Sequence, residues 1–522
     1  MGPGDDGAQI FFAQFGVDRE LCRPLGALMI VSVGGDERGV GRSAAMSRVS
    51  TGSTALRSSA EQLLDEVESL LGLSGAEVVA RVRNALRRPI VIAVSGRVNT
   101  GKSTLVNSLI SEKLAPTSSQ ETTALVCCYA YGAPARAEAR LVSGEAVAIP
   151  LTRSGPAIEN VDQEVIAYLQ VYTQAATLQN ATIIDTPGLG SAVTGNSVRS
   201  ESNLLGESNL DEGPDALLYL VRDAFRPDDR DFIGKFRARS VKGITREPAP
   251  VIGLIAHADN HSGGPWQNVE PVDSATSDAA ELATGMPELA TVLPVSGLLA
   301  ETVRTGALRE NDVRNLRLLK GTEDQRLRFA EHLGPPPGMR NDDFRRLLSL
   351  VGPYGIRYGR EHAGSATQLM DWLYDRSGLA ALEEILQNTV MVPAECARVE
   401  EMLSQLVASG RSLSWPPRVR ALIESAKNAP AFHRLQEESA LALLRESAPG
   451  HEFIAVLENL RQPDWRPPAS TSETGQRSAS CLQLASRYQA EAATAKTGAE
   501  ARAARVIARS LLIRSGEART LA

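Results

Sequence analysis

Gly96, Gly101, Lys102 and Ser103 stand at the spacing G-x-x-x-x-G-K-[ST] within the stretch GRVNTGKS. Small residues there let successive backbone N–H groups curl around phosphate oxygens, and a lysine adds a point charge for the β and γ phosphates. The Ser103 hydroxyl is placed to ligate magnesium. The flanks carry the match: IVIAVS before it reads as a strand and TLVNSLI after it as an amphipathic helix. The positive end of that helix would face the anion. Gly96, Asn99, Thr100, Gly101, Lys102, Ser103 and Thr104 are therefore the candidate contacts to a nucleotide's phosphates.

Two further groups of residues could complete such a site. The strand ATIID ends in Asp185 and runs into Thr186, Pro187, Gly188 and Leu189. An aspartate there can hold magnesium through water, and the amide of Gly188 can reach a γ-phosphate. Alone, DTPG is also an ordinary turn; downstream of the phosphate loop it reads as a switch. Between them, SSQETTAL offers Thr122 and Thr123, of which Thr123 is the preferred ligand to close the magnesium shell. For the base, VIGLIA leads to His257, Ala258 and Asp259, and TVLPV to Ser296 and Gly297. Both lie at carboxyl ends of strands, where open parallel sheets bind ligands. Asp259 can accept the two N–H donors of guanine, and the amide of Gly297 or Leu298 can donate to its carbonyl.

Alternating strands and helices are needed to bring these points together. Strand-like runs fall at 90–95, 124–131, 181–185, 216–221, 251–256 and 292–295, separated by helical or loop segments. That is the rhythm of a mostly parallel sheet with helices on both faces. Beyond about residue 300 strand signals disappear and helix-length periodic segments follow one another, at 342–351, 364–374, 379–386, 394–409, 430–445 and 481–514. Residues 463–480, rich in Pro, Ser and Thr, predict a loop. Upstream, Leu56, Leu63, Leu64, Val67, Leu70 and Leu71 share one helical face from Ser53 on, and a second helix is expected near 76–87. Residues 1–50 are glycine-rich without a sustained period, so little stable structure is expected there, and Met46 is a candidate natural start.

The 522 residues call for two or three domains. The formal charge of −7 disfavours a dedicated nucleic-acid binder. Five cysteines (Cys22, Cys127, Cys128, Cys396 and Cys481) contain no C-x-x-C pair, so buried thiols in a reducing cytoplasm are expected. No run approaches the roughly 18 apolar residues that would span a bilayer, and MGPGDDGAQI lacks the order of a signal peptide.

The order GxxxxGKS, Thr, DTPG, AHAD, SGL resembles that of guanine-nucleotide-binding domains, and the chain is most similar to bacterial dynamin-like GTPases of the actinobacterial isoniazid-inducible kind. GRVNTGKSTLVNSLI, IIDTPG, LPVSGLLA, GPYGIR and YDRSGLAALEEIL carry the likeness over roughly residues 55–390. It implies an α/β P-loop GTPase domain at 89–303 and a large all-α helical-bundle stalk. The stalk would be built from helices at 51–88 and the segment 304–522. It also implies GTP hydrolysis with Mg2+, a homodimer or higher self-assembly through the GTPase domain, and membrane remodelling by a cytoplasmic protein at the inner face of the membrane.

Departures from the pattern qualify the base and the chemistry. The family's Asn/Thr-Lys-x-Asp is here Ala256-His257-Ala258-Asp259, so guanine preference rests on Asp259. Leu189 stands where regulatory GTPases carry a water-orienting glutamine, which implies slow hydrolysis by the monomer. Asn99 resembles the asparagine through which bacterial GTPases hold K+, which a head-to-head dimer would complete; asparagine is equally a common turn residue. Lys102, Thr123 and Asn99 are thus the catalytic candidates, and Ser103, Thr123 and Asp185 the metal ligands. The alternative is a nucleotide-gated assembly switch with little turnover and no membrane role. The apolar stripes at 342–386 and 394–407 most simply pack against the helix at 56–71. Trp415 and Trp465, beside arginine and proline, suit either a lipid interface or ordinary packing.

Overall fold

The computed structural model describes residues 43–116, 125–153, 155–158, 161–187, 213–239, 248–462, 465, 467 and 474–520. They form two compact units: a sheet unit, residues 88–394, and a helical unit made of the chain before residue 88 and after residue 394.

The described chain opens with α1 (Ser43–Leu71) and α2 (Ala76–Arg87), joined by the short turn Gly72–Ser74. Arg83 donates to Asp65 and Glu68, and Arg87 to Glu61, so the two helices are laced together along their polar sides. α1 starts at Ser43, ahead of Ser53, where the apolar stripe becomes readable; most of the expected unstructured segment lies outside the described residues.

In the sheet unit nine strands stand in the order β11-β10-β9-β1-β8-β2-β7-β3-β4. They are β1 (Ile90–Gly96), β2 (Cys127–Tyr131), β3 (Arg136–Leu141), β4 (Ala146–Ile149), β7 (Ile166–Thr173), β8 (Ala181–Asp185), β9 (Ala216–Val221), β10 (Val251–Ala256) and β11 (Thr291–Val295). The short β5 (Leu151–Thr152) and β6 (Gly155–Pro156) pair separately. From β11 through β8 all pairings are parallel; β2 then joins β8 antiparallel, and β3 and β4 close the edge as antiparallel strands. The six expected strands are all present. β3, β4 and β7 were not foreseen: RAEARL of β3 carries charges at alternate positions, AVAI of β4 is only four residues long, and IAYLQVYT of β7 interleaves polar residues with its apolar ones.

Alternation along the central strands divides the core into two layers. Leu217, Tyr219 and Val221 of β9 face one layer, and Ala216, Leu218 and Leu220 the other. The first layer is covered by α4 (Pro227–Arg239), α5 (Pro271–Gly285), α6 (Gly297–Arg304), α7 (Glu310–Leu318), α8 (Asn341–Tyr354) and α9 (Ala366–Arg376). The second is covered by α3 (Lys102–Ile110) and by α10 (Leu379–Leu386).

Those layers move the expected boundary. Residues 304–394 were assigned to the stalk, yet Val313, Leu316, Phe344, Leu347, Leu350 and Val351 share a core with β9 and β10, and Leu382 and Leu386 share one with β1. The sheet unit therefore runs to residue 394. A stripe at helical spacing says that a helix has a buried side; it does not say what buries it.

The helical unit continues with α11 (Val392–Ser412), α12 (Pro417–Lys427), α13 (His433–Ser447), α14 (Glu452–Leu460), α15 (Thr474–Thr494) and α16 (Gly498–Thr520). α1 packs on α12 and on the turn Pro430–Phe432. α15 and α16 pair along their length through Ala485, Ala503 and Ala504, whose small side chains permit close approach, with Leu441, Leu444, Phe453 and Leu457 of α13 and α14 closing the core. α15 begins at Thr474, inside the stretch expected as a loop. Trp415 is buried, and Trp465 packs at the edge of the α13–α16 core beneath the Arg514 guanidinium, so packing is the role the structure gives both. Cys127, Cys128, Cys396 and Cys481 are buried thiols; Cys22 lies outside the described residues. No helix among the described residues is long and apolar enough to cross a membrane.

Candidate nucleotide-binding site

β1, β8, β10 and β11 end at one rim of the sheet, where the candidate residues gather. Between β1 and α3 the chain makes the sharp loop that the glycines require. Gly96 (φ 143), Asn99 (φ 62) and Gly101 (φ 78) all have positive φ. At Gly96 a Cβ would come within 2.3 Å of the Leu220 carbonyl oxygen on the neighbouring strand, so only glycine fits there. Thr100 Oγ1 and Lys102 Nζ each donate to the Arg97 carbonyl at 2.8 Å, drawing the loop around the N-terminus of α3. Burial lowers the Lys102 ammonium from 10.5 to about 8, with Asp185 opposing. A cation so placed gains from any anion that enters the loop.

Asp185 and Ser103 meet across the loop. Ser103 Oγ donates to Asp185 Oδ2 at 2.8 Å, while the buried Asp185 Oδ1 has no hydrogen-bond partner among the described residues. Burial pushes the carboxyl from 3.8 up to about 6, although the Ser103 hydrogen bond and the Lys102 charge pull it down. Thr186 fixes the strand end, its N–H and hydroxyl both donating to the Val94 carbonyl. Thr122, Thr123, Gly188 and Leu189 lie outside the described residues.

On the base side, His257 adopts a left-handed conformation (φ 55) and lies over the loop, its Nε2 3.2 Å from the Asn99 carbonyl oxygen. Asp259, largely buried, sits at the start of the irregular turn Ala258–Gly263. Ser296 is fully buried and its hydroxyl accepts from the Leu299 N–H as the cap of α6. Its side chain is thereby engaged, and the groups this turn can present are the Gly297 and Leu298 amides at the helix N-terminus. Gly297 lies against Thr104 in the first turn of α3; a Cβ there would stand 3.5 Å from the Thr104 side chain.

Two supports were not foreseen. Asp229, in the first turn of α4, accepts from Arg97 Nε at 3.1 Å, from the Tyr219 hydroxyl at 2.6 Å and from the Arg226 N–H at 2.7 Å. Asn107, buried within α3, donates to Glu301 Oε1 at 2.8 Å and accepts from the Leu114 and Ala115 amides, which ties α3 to α6. Sequence offered a signal only for the second, as a polar residue on an apolar helix face.

Residues 92–225, which carry the loop, Ser103 and Asp185, match the model of the dynamin family. The chain is 31% identical over 296 residues to the isoniazid-induced protein IniC of Mycobacterium tuberculosis, in strains CDC 1551 / Oshkosh and ATCC 25618 / H37Rv. The aligned part is 53% of this chain and 57% of that protein, so the chain spans little more than half the length of these curated relatives. Among solved structures it aligns with one of an oligomerised bacterial dynamin pair, described as providing a mechanism for long-range sensing and tethering of membranes. There the identity is 13%, the TM-score 0.35, and coverage 90% of this chain and 74% of the other. Over residues 92–225, which carry the phosphate loop, Ser103 and Asp185, the chain is similar to the dynamin family.

Proposed function

We propose that the sheet unit binds GTP and hydrolyses it to GDP and phosphate. The observation that carries this reading is the pairing of Ser103 Oγ with Asp185 at the mouth of the phosphate loop, with Asp185 Oδ1 buried and without a partner among the described residues. A buried carboxylate oxygen in that condition is costly unless a cation meets it. The hydroxyl and the carboxylate fit Mg2+, which when bound neutralises charge between the β and γ phosphates. Lys102 exchanges the Arg97 carbonyl for phosphate oxygens, and the loop amides and the α3 terminus hold the rest. By their order in the chain Thr123 is assigned to closing the Mg2+ shell and Gly188 to the γ-phosphate, and Asn99 to a K+ site completed by a second copy.

Asp259 takes the guanine N–H donors, the Gly297 or Leu298 amide takes its carbonyl, and His257 lies between base and loop. Family kinship over residues 92–225 supports self-association through this unit, and with it membrane remodelling from a peripheral position at the inner face of the cell membrane. The deciding experiment compares fluorescent GDP with ADP in Mg2+, then phosphate release against protein concentration in K+ and in Na+, with Lys102→Ala as control. Guanine-selective binding with turnover that rises with concentration is expected. Equal binding of both nucleotides, or no release above the control, would sink the reading.

A further inference from the structure

The segment from Gly352 to Arg357, read in the sequence only as part of a likeness, grips the turn that carries Asp259. α8 breaks at Gly352 (φ 62, ψ −177), a conformation open essentially to glycine alone. A Cβ there would stand 3.3 Å from Leu298 Cδ2 and 3.9 Å from Asp259 Oδ2, so this backbone lies against both base-side candidates. Just beyond, the buried Tyr354 donates its hydroxyl to the Glu270 carboxylate, which also caps α5 by accepting the Asp273 N–H at 2.7 Å. Arg357 Nη1 donates to the Pro265 carbonyl and, at 2.8 Å, to that of Gln267, while its Nε is held by Asp324 at 2.8 Å. Three consecutive features of one segment therefore hold the stretch 258–270 at its beginning, middle and end.

That stretch needs such holding. Asn260, His261 and Ser262 are non-helical within the turn, and Gly263 and Gly264 both have positive φ, so no regular ladder sets its shape. Among the described residues, the other side-chain anchors of its middle are His261 Nε2 to Asp278 at 2.7 Å and the Ser262–Ser274 hydroxyl pair at 2.8 Å, both on the α5 side. A carboxylate that must accept two parallel N–H bonds tolerates little rotation.

We propose that Tyr354 and Arg357 are positioning residues for base recognition, acting through the turn 258–270, and that Gly352 is the break that lets them reach it. This rests on the reading of Asp259 as the guanine contact. The test measures the affinity of the full chain for GDP, IDP, ADP and magnesium pyrophosphate, in the parent and in Tyr354→Phe, Arg357→Ala and Arg357→Lys. IDP lacks the exocyclic amine and so reports one of the two Asp259 bonds; pyrophosphate reports the phosphate loop alone.

In Tyr354→Phe and Arg357→Ala, GDP affinity is expected to fall about tenfold and the GDP-over-IDP ratio to shrink toward one, with pyrophosphate unchanged. Arg357→Lys, which keeps the charge without the fork, is expected to fall between. Folded variants that retain the parent's GDP-over-IDP ratio would overturn the proposal, as would equal losses of GDP and pyrophosphate. If Arg357→Ala fails to fold, Tyr354→Phe, which loses one oxygen, decides alone. A parent that does not prefer GDP to ADP overturns the guanine reading itself, a distinct result.

Discussion

Arg97 Nε lies 3.1 Å from Asp229 Oδ1, so the second residue of the phosphate loop is anchored to the first turn of α4. The Tyr219 hydroxyl and the Arg226 N–H converge on the same buried carboxylate. Asp229→Ala leaves all three donors without their acceptor. A loss of about 2–3 kcal/mol in urea unfolding is expected, discounted because Arg97 is partly exposed to water. Nucleotide affinity should fall with it, since the loop loses its outer tether. A change below about 1 kcal/mol would mean that the loop is held elsewhere.

Asp185 makes the site a liability until a cation arrives. Its folded-state value is raised from 3.8 to about 6, so below about pH 4 it is protonated whether the chain is folded or not, and no penalty arises. As pH rises toward 6 the unfolded chain ionises first and stability falls; above that the penalty is full, on the order of 3 kcal/mol. Asp185→Asn should therefore melt higher than the parent near pH 7 without nucleotide, and the difference should vanish near about pH 4. With Mg2+ and GDP the order should reverse. Parallel melts at the two pH values, with and without ligand, test the sign; equal melting near neutrality would contradict it.

Gly96 and Gly101 are both required by the motif, but for different physical reasons. Gly96→Ala drives a methyl to 2.3 Å from the Leu220 carbonyl oxygen, between paired central strands that cannot part. At Gly101 the added carbon finds ordinary contacts at 3.6 Å from His257, and only the left-handed φ of 78 opposes it. Gly96→Ala is expected to lose more than about 3 kcal/mol and to express poorly, Gly101→Ala about 1–2 kcal/mol. Chemical denaturation of both measures the gap; similar losses would mean that strain at φ, not the close approach, governs the loop.

The phosphate loop, Asp185 and the six apolar strands were legible because each is a local pattern with a local cause: glycine where φ is positive, β-branched residues where both faces of a strand are buried. What stayed hidden was pairing at a distance. Nothing in PDDRDF tells that Asp229 meets Arg97, which is 132 residues away. Nothing in the stripe of Phe344, Leu347 and Val351 tells that it packs on the sheet rather than on α1, since periodicity encodes a face and not its partner. The capping role of Ser296 stayed hidden for a related reason: its place at a strand end was visible, but its use as a helix cap depends on backbone geometry.

His257 offers a separation of binding from stability. Its Nε2 lies 3.2 Å from the Asn99 carbonyl oxygen, which can only accept, so the hydrogen must sit on that nitrogen. The residue holds a left-handed φ of 55, which for a side chain of this size costs about 1 kcal/mol. His257→Gly removes that strain together with the contact, and its stability is expected to stay within about 1 kcal/mol of the parent because the unfolded chain also gains freedom. GDP affinity should nonetheless fall several-fold, as the Asn99 carbonyl loses its donor and the loop its cover. His257→Lys, whose ammonium can span the same gap, should hold affinity near the parent's. Titration of labelled GDP beside thermal melts separates the two quantities. If His257→Gly binds as the parent does, the imidazole contributes nothing to the site and its unusual backbone has some other cause.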